Sequence, residues 1–254
     1  MPASRLHNLL LLSDSALPLG SFAFSSGLES FLAHTKTNNS NSGSKTTTTA
    51  SKLRAFDNFL DLSISNLAST ALPYVLTAYH DPSLLESLDN DLDASTPCTV
   101  ARRASVSQGR ALLAVWERAL KGSASEAGVA ATATTDFALT VKNSKPDFFG
   151  LHRNAHFAPL FGAVCAALEL SEEDAAYLFL LNHAKALLSA AVRASVMGPY
   201  QSQAVLASSK LQKQIEICIE REGKGRVSEA AVTVPVMDLW AGRHELLYSR
   251  IFNS

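Results

Sequence analysis

Apolar residues recur along most of the chain with the spacing of α-helices, and the strict alternation typical of β-strands is nearly absent. One apolar face runs at steps of three and four through Leu53, Phe56, Leu60, Ile64, Leu67 and Ala71. Such spacing places side chains on one side of a helix. We expect Pro73 to break or kink that helix. The pattern predicts an all-α fold, a single bundle-like domain over residues 1–254.

Three further helices are predicted from their start and stop signals. One begins at Thr96-Pro97 and runs to Gly122, because proline is favoured in the first helical turn. Another begins at Ser171, followed by Glu172, Glu173 and Asp174, since acids stabilise a helix N-terminus; it stops at Met197-Gly198-Pro199. The last spans about Gln203 to Glu222.

Three polar stretches interrupt these helices. Residues 35–51 are of low complexity and 122–145 are rich in Ala, Thr, Ser and Gly, so we expect two mobile insertions. Residues 89–95 form an acidic stretch that we interpret as a short connector. None is typical of a linker between independent domains.

Composition narrows the function classes. Hydrophobic residues make up 47% and charged residues 18%, which is ordinary for a globular protein, and the net charge is −1 without a basic run. We therefore expect no nucleic-acid partner, because such binding depends on a basic face. The apolar stretch 175–192 contains Asn182, His183 and Lys185, which favours a buried helix over a membrane span.

Cysteine usage and the N-terminus suggest the compartment. The three cysteines, Cys98, Cys165 and Cys218, are odd in number and far apart, so they indicate a reducing environment. The apolar run Leu9–Leu12 is too short for a signal-peptide core. These features predict a cytoplasmic protein.

No common catalytic or nucleotide-binding motif is satisfied. The glycine-lysine sequences around Gly43 and Gly223 miss the spacing of a phosphate loop, and neither GxSxG nor GxGxxG occurs. His244 and Glu245 begin like a zinc-protease helix, but Tyr248 stands where the second histidine must be. We expect no catalytic residues.

His152 and His156 are the candidate metal ligands. If their segment is helical, they lie one turn apart, a spacing that holds nickel or zinc. With Glu169 or Asp174 they would form a metal-dependent hydrolase, which is the enzyme alternative. The structural alternative is a hydrogen-bonded helix start ahead of Pro159.

Glycines within helical patterns predict close packing. Gly109 and Gly162 lie mid-helix, where glycine costs about 1 kcal/mol relative to alanine. The close approach of a neighbouring helix explains that cost. Gly198 joins this group as a predicted close-packing position.

Two segments carry residues typical of interfaces. Leu17–His34 is read first as a turn followed by a helix from Leu28, with Ser25 or Ser26 as the candidate cap. In the functional interpretation its small residues allow close approach of a partner, with Phe22 and Phe24 as apolar anchors. The chain ends in GRHELLYSRIFNS, which has arginines and aromatics where chain ends are usually frayed and polar. We interpret the tail, residues 243–254, as a partner-binding element. The alternative is that Tyr248 and Phe252 dock on the protein's own core.

These segments together resemble the family of the urease accessory protein UreF. Four motifs occur in the family's order over nearly the whole chain outside 35–51 and 122–145: Leu17–Glu29, Arg103–Arg110, His156–Gly162 and Arg243–Ser254. Within the first motif, Ser21, Ala23 and Phe24 replace the family's usual glycine, serine and tyrosine. The two polar insertions are more typical of a eukaryotic member.

The resemblance implies a non-enzymatic, all-helical homodimer. Family members bind a UreD-type protein (also called UreH) and recruit the UreG-type GTPase, and the assembly delivers nickel to apo-urease. The resemblance implies no tightly bound cofactor in this chain, since nickel is handled by the complex. A generic helical adaptor unrelated to urease is the third interpretation.

The resemblance also points to the partner-binding residues. They are Pro18, Gly20, Phe22, Phe24, Gly27, Glu29, Arg243, His244, Glu245, Tyr248, Arg250 and Phe252. By the same resemblance the tail becomes ordered only on its partner, with Arg250 in a charge-assisted contact and Phe252 as a buried anchor.

Overall fold

The chain forms an α-helical protein. The computed structural model describes residues 3–41, 49–124, 128–143, 146, 148, 150 and 153–253. Across these residues there are helices and loops but no strand, which confirms the predicted all-α fold. The α-helices are α1 (Ala3–Ser13), α2 (Leu28–Asn41), α3 (Thr49–His80), α4 (Leu85–Ser95), α5 (Thr99–Val115), α6 (Val129–Lys142), α7 (Phe157–Ala167), α8 (Glu172–Arg193), α9 (Pro199–Leu206), α10 (Ser209–Glu222) and α11 (Pro235–Arg243).

Helices α3, α7 and α8 form the centre of the molecule. Helix α7 is the most apolar and packs against α3, α5 and α6, while α8 packs against α3 and also contacts α7. Phe161 of α7 and Phe179 of α8 lie 5.6 Å apart between ring centroids, and Phe157 packs on both. Such aromatic contacts bury large apolar area, so this cluster anchors the core.

The expected break at Pro73 is wrong, since α3 continues for 32 residues through it. Proline lacks the N–H that would bond to the carbonyl four residues earlier, which here is that of Ser69. That carbonyl accepts a hydrogen bond from the backbone N–H of Ala231 at 3.2 Å. A contact from the distant segment before α11 therefore compensates for the missing helical bond.

The predicted end of one helix and the continuity of another need correction. Helix α5 ends at Val115 and is followed by a π-turn at Trp116–Leu120 rather than by α-helix to Gly122. The helix predicted from Gln203 to Glu222 is two helices, α9 and α10. Ser208 separates them, and its hydroxyl caps α10 by accepting from the N–H of Leu211 at 3.2 Å.

The start of α8 is confirmed. The Ser171 hydroxyl accepts a hydrogen bond from the N–H of Asp174 at 3.2 Å, and Asp174 is itself paired with Arg5 of α1 at 2.5 Å. Helix α8 is long and apolar enough to be compared with a membrane span, but more than half of its most apolar 18 residues are buried inside the protein. Its contacts with α3 and α1 are those of a core helix.

Residues 129–142, assigned to a polar insertion on composition, form helix α6. Ala131, Thr134, Phe137 and Ala138 are buried at helical spacing. The hydroxyls of Thr134 and Thr135 bond to the carbonyls four residues earlier, at 2.7 and 2.8 Å, so their polarity is satisfied within the helix. One apolar stripe is therefore sufficient to hold a threonine-rich helix against α7.

The other two polar stretches are also more helical than expected. Helix α2 reaches Asn41 and α3 begins at Thr49, so only residues 42–48 of the first predicted loop lie outside the described residues. The acidic stretch 89–95 is the second half of α4, whose Leu85, Leu88 and Leu92 are buried. Leucines one turn apart formed this helix despite its acidic surface.

Candidate interaction surface

The C-terminal tail lies across the N-terminal turn of the same chain. After α11 the backbone makes a 3₁₀ turn at His244–Leu246 and then extends along residues 247–253. The backbone N–H of Asn253 donates to the carbonyl of Ala23 at 2.8 Å. The two segments singled out at opposite ends of the sequence therefore form one surface.

Glu29 holds the end of the tail. Its carboxylate, in the first turn of α2, accepts the backbone N–H of Ile251 at 2.6 Å and that of Phe252 at 3.2 Å. Hydrogen bonds to an ionised acceptor are stronger than neutral ones. Glu29 was predicted to bind a partner, but in the isolated chain its carboxylate binds the protein's own tail.

His244 is fully buried beneath this contact. Its Nε2 lies 3.1 Å from the carbonyl oxygen of Phe252, and since a carbonyl only accepts, Nε2 carries the hydrogen. Within the described residues Nδ1 has no hydrogen-bond partner, and it lies 3.6 Å from the Glu29 carboxylate. Burial lowers the pKa of His244, and the opposing charge of Glu29 only partly offsets this, so the ring is neutral at pH 7.

Phe252 is the apolar anchor of the tail. Its side chain is 4% exposed, and the guanidinium carbon of Arg193 lies 4.4 Å from its ring centroid, a cation–π contact. Arg193 also donates to the carbonyl of Phe22. The alternative in which Tyr248 and Phe252 dock on the protein's own core therefore holds for Phe252 but not for Tyr248, which is exposed. The tail is ordered within the isolated chain, so the prediction that it orders only on a partner is wrong.

A charged network on the outside of the tail links it to α5. Glu245 pairs with Arg103 at 2.5 Å and with Arg250 at 3.0 Å. The hydrogen bond from Arg103 lowers the pKa of Glu245, and the Arg250 charge adds to that effect. Arg250, predicted to contact a partner through its charge, is thus already paired within the chain.

The same tail exposes large apolar side chains to solvent. Tyr248 is completely exposed, and Leu246 and Ile251 are 78% and 62% exposed. Leu239 of α11 is 64% exposed. We call these four residues the exposed tail group. The tail is therefore divided: Phe252 and His244 face the protein, while Tyr248 and its apolar neighbours face outward.

The N-terminal turn is divided in the same way. Phe24 is buried and Phe22 half-buried, whereas Pro18 and Gly20 are exposed. Gly27 has a positive φ of 86°, and a Cβ there would lie 2.9 Å from the backbone N of Ala241 in α11. Only glycine allows both that conformation and that approach. Arg243, at the end of α11, is exposed.

The metal-site prediction does not fit the geometry around His156. His156 is not helical but precedes α7 in an extended conformation, and His152 lies outside the described residues. The buried His156 ring contacts the Ser105 hydroxyl at 3.0 Å through Nδ1 and Asp93 at 3.1 Å through Nε2. Among the described residues no group of three His, Cys, Asp or Glu could hold a metal ion.

The acids proposed for the enzyme alternative are used elsewhere. Asp174 is bound to Arg5 and Ser171, and Glu169 is exposed at the end of α7. Ser105, His156 and Asp93 form a serine–histidine–aspartate chain, but the serine oxygen also accepts the N–H of Phe157 at 3.2 Å. This network therefore accepts from backbone N–H groups that have no partner within the helix at the start of α7.

Sequence reasoning missed the acid that organises this turn. Asp89 is completely buried, and its carboxylate accepts the backbone N–H groups of Asn154, Ala155 and His156 at 2.6–3.1 Å. Asp89 was overlooked because it lies in the acidic stretch that we interpreted as a connector. The available signal was its spacing, because Leu85, Leu88, Asp89 and Leu92 share one face of α4.

The predicted close-packing glycines differ from one another. A Cβ on Gly109 would lie 1.8 Å from the carbonyl oxygen of Ala155, and one on Gly162 would lie 1.9 Å from that of Val75. Both distances are far below any van der Waals contact. Gly198 has nothing within 4 Å of the same position, so close packing does not explain it; it is the residue before α9.

Comparison with known proteins gives the family. The UreF family model matches residues 51–210. An uncharacterized urease accessory protein UreF-like from Schizosaccharomyces pombe is 35% identical, with 98% of this chain and 97% of the relative covered. Urease accessory protein F from Oryza sativa subsp. indica is 32% identical over 95% of this chain and 82% of the relative, and that of Arabidopsis thaliana is 29% identical over 96% and 90%. The chain therefore belongs to the UreF family of urease accessory proteins.

Proposed function

We propose that this chain acts in urease maturation by bridging a UreD-type accessory protein and a UreG-type GTPase, so that nickel is delivered into apo-urease. In this role the chain is not an enzyme: it organises partners and regulates GTP hydrolysis by one of them. Nickel is the cargo of the assembly, and this chain works as a homodimer in the cytoplasm.

The observation that supports this function is the composite surface of the two chain ends. Glu29, His244 and Phe252 hold the tail on the N-terminal turn, while Tyr248, Leu246 and Ile251 remain exposed. Isolated exposed apolar residues are common, but four within residues 239–251 on an ordered segment are typical of an interface. Tyrosine flanked by arginines is the composition found at binding hot spots.

A tail that is already docked favours binding. Ordering a loose segment on a partner costs about 0.5–1.5 kcal/mol for each immobilised flexible side chain. Here the backbone is held before the partner arrives, so less of that cost falls on the binding step. We assign the partner contact to the exposed tail group and to the exposed residues Pro18, Gly20 and Arg243, with the buried residues as their support.

The test is co-expression of this chain with UreD-type and UreG-type proteins from the same source, followed by affinity purification. We expect Tyr248→Ala to weaken the complex about tenfold or more, the size of a hot-spot loss. Deletion of residues 243–254 should abolish the complex. Tyr200→Ala is the matched control, because Tyr200 is 91% exposed but lies on α9.

Two readouts separate this function from a generic adaptor. The intact complex should change the rate of GTP hydrolysis by the UreG-type protein and should activate apo-urease when nickel is added. Unchanged binding in both the Tyr248→Ala variant and the deletion would show that the tail is not part of the interface. Binding without any effect on GTP hydrolysis or urease activity would favour the interpretation of this chain as a generic adaptor.

A further inference from the structure

A cavity of about 300 Å³ lies beneath the N-terminal turn, between α3, α5, α8 and α11. Its volume is at the lower end of the range for small-molecule sites. Apolar walls come from Leu67, Val100, Phe179 and Met237, among others. Leu19, Phe22 and Phe24 of the N-terminal turn also line this space.

Most polar groups that line the cavity are already paired within the protein. The Ser63 hydroxyl lies 2.8 Å from Nε2 of His183, and Ser21 donates to Gln108 at 3.0 Å. Asn66 accepts the backbone N–H of Val234 at 3.0 Å. Lys185 donates to the carbonyl of Ser13; burial lowers the pKa of Lys185, and the nearby charge of Asp14 opposes this in part.

Asp238 is the exception. It lines the cavity from α11 and is half-buried, and within the described part of the chain no hydrogen-bond donor or cation contacts its carboxylate. Burial raises the pKa of Asp238 above its usual value. A partly desolvated carboxylate without a counter-charge is unfavourable, so a cation bound in the cavity would be stabilised by it.

We propose that this cavity binds a small organic cation, an ammonium group on an apolar body, with the Asp238 carboxylate as its counter-charge. The apolar walls would contact the apolar body of the ligand, and the carboxylate would pair with its ammonium group. A divalent metal ion fits less well, because no cluster of three His, Cys, Asp or Glu occurs among the described residues and apolar walls cannot replace a hydration shell.

The experiment compares benzylammonium with benzyl alcohol, which has the same shape without the charge, by calorimetric titration of the full chain at pH 7.5. We expect benzylammonium to bind at least about tenfold more tightly, the size of one charge-assisted hydrogen bond. Asp238→Asn should remove that preference while leaving weak binding of both compounds. Asp238→Glu should keep the preference.

Asp136→Asn is the matched control, because Asp136 is exposed on α6 and outside the cavity. The Asp238→Asn variant should unfold at the same temperature or higher, since it removes an unpaired desolvated charge. Equal binding of the two compounds, no binding of either, or a preference that survives in Asp238→Asn would each overturn the proposal.

A third probe, Nα-acetyl-lysine N-methylamide, distinguishes the source of the ammonium group. Tighter binding of this probe than of benzylammonium would support the proposal with a lysine side chain of another protein as the ligand. The reverse order would support a free amine. The proposal does not depend on partner binding by the tail, because the purified chain is titrated alone.

Discussion

Helix α7 and the C-terminal tail are both held tightly to the rest of the chain, but by different means. Around Gly162, α7 approaches α3 so closely that a Cβ would lie 1.9 Å from the Val75 carbonyl oxygen, and nearly every residue of the helix is buried. The tail is held by one buried ring, the Glu29 carboxylate and a buried histidine. Most of its other described side chains are exposed to solvent.

The difference separates motifs that build the fold from motifs that present a surface. The His156–Gly162 segment has its polar groups bound to Asp89, Asp93 and Ser105 and leaves little for a partner. The tail buries Phe252 but leaves Tyr248 completely exposed. We therefore expect substitutions in α7 to change global stability and substitutions in the tail to change local order or binding.

The largest effect is expected for Gly162→Ala. Because the added methyl group would meet backbone rather than a flexible side chain, α3 and α7 must separate, and we expect a loss of about 3 kcal/mol or more in the free energy of unfolding. Urea denaturation followed by circular dichroism measures it. Gly122→Ala is the control, since Gly122 has open space around it. Equal stability of the two variants would contradict close helix packing.

Next in size is Phe252→Ala. A buried phenylalanine usually contributes several kcal/mol, but the tail can leave its site without unfolding the core, so we expect a local loss of about 2 kcal/mol. Hydrogen exchange at the Ile251 and Asn253 amides should accelerate by roughly thirtyfold. Tyr248→Ala, at the exposed position, should leave both exchange rates unchanged. Acceleration in Tyr248→Ala alone would reverse our assignment of the two faces.

A smaller effect on the same tail is expected for Glu29→Gln. The variant keeps the shape of the side chain but removes its charge, and its single amide oxygen cannot accept both N–H groups that the two carboxylate oxygens accept now. We therefore expect at least about 1 kcal/mol less protection of the Ile251 and Phe252 amides. Urea denaturation of the core should change little. A large drop in global stability would mean that the tail and the core unfold as one unit.

The smallest effect at near-neutral pH concerns His183 in the interior. Burial lowers the pKa of His183 to about 4, so the folded state keeps this ring neutral. The unfolded chain takes up a proton near its ordinary value of about 6.5. Stability should therefore fall progressively as pH decreases from about 6.5 to 4. His183→Gln should flatten this part of the pH profile measured by thermal unfolding, whereas an unchanged slope would exclude His183 as its source.

Several elements could be predicted because their signals are local. Ser171 with three acids after it specified the start of α8, and the apolar steps from Leu53 specified α3. Helix α6 was missed because its buried face includes alanine and threonine, whose small side chains give little hydrophobic signal in the sequence. Packing against α7 is what buries this face. The effect of Pro73 could not be predicted locally because the compensating N–H comes from Ala231, 162 positions beyond the Ser69 carbonyl that accepts it.

The sequence by itself determined the helical class, the caps that begin its clearest helices, and the four motifs that place the chain in its family. These depend on residues within a few positions of each other, so their physics is visible in a linear pattern. Only the tertiary structure decided that Glu29 binds Ile251 across 222 positions, that Phe252 faces inward and Tyr248 outward, and that Asp238 has no counter-charge among the residues described. Which groups meet depends on how all the helices pack together, and no local spacing encodes that.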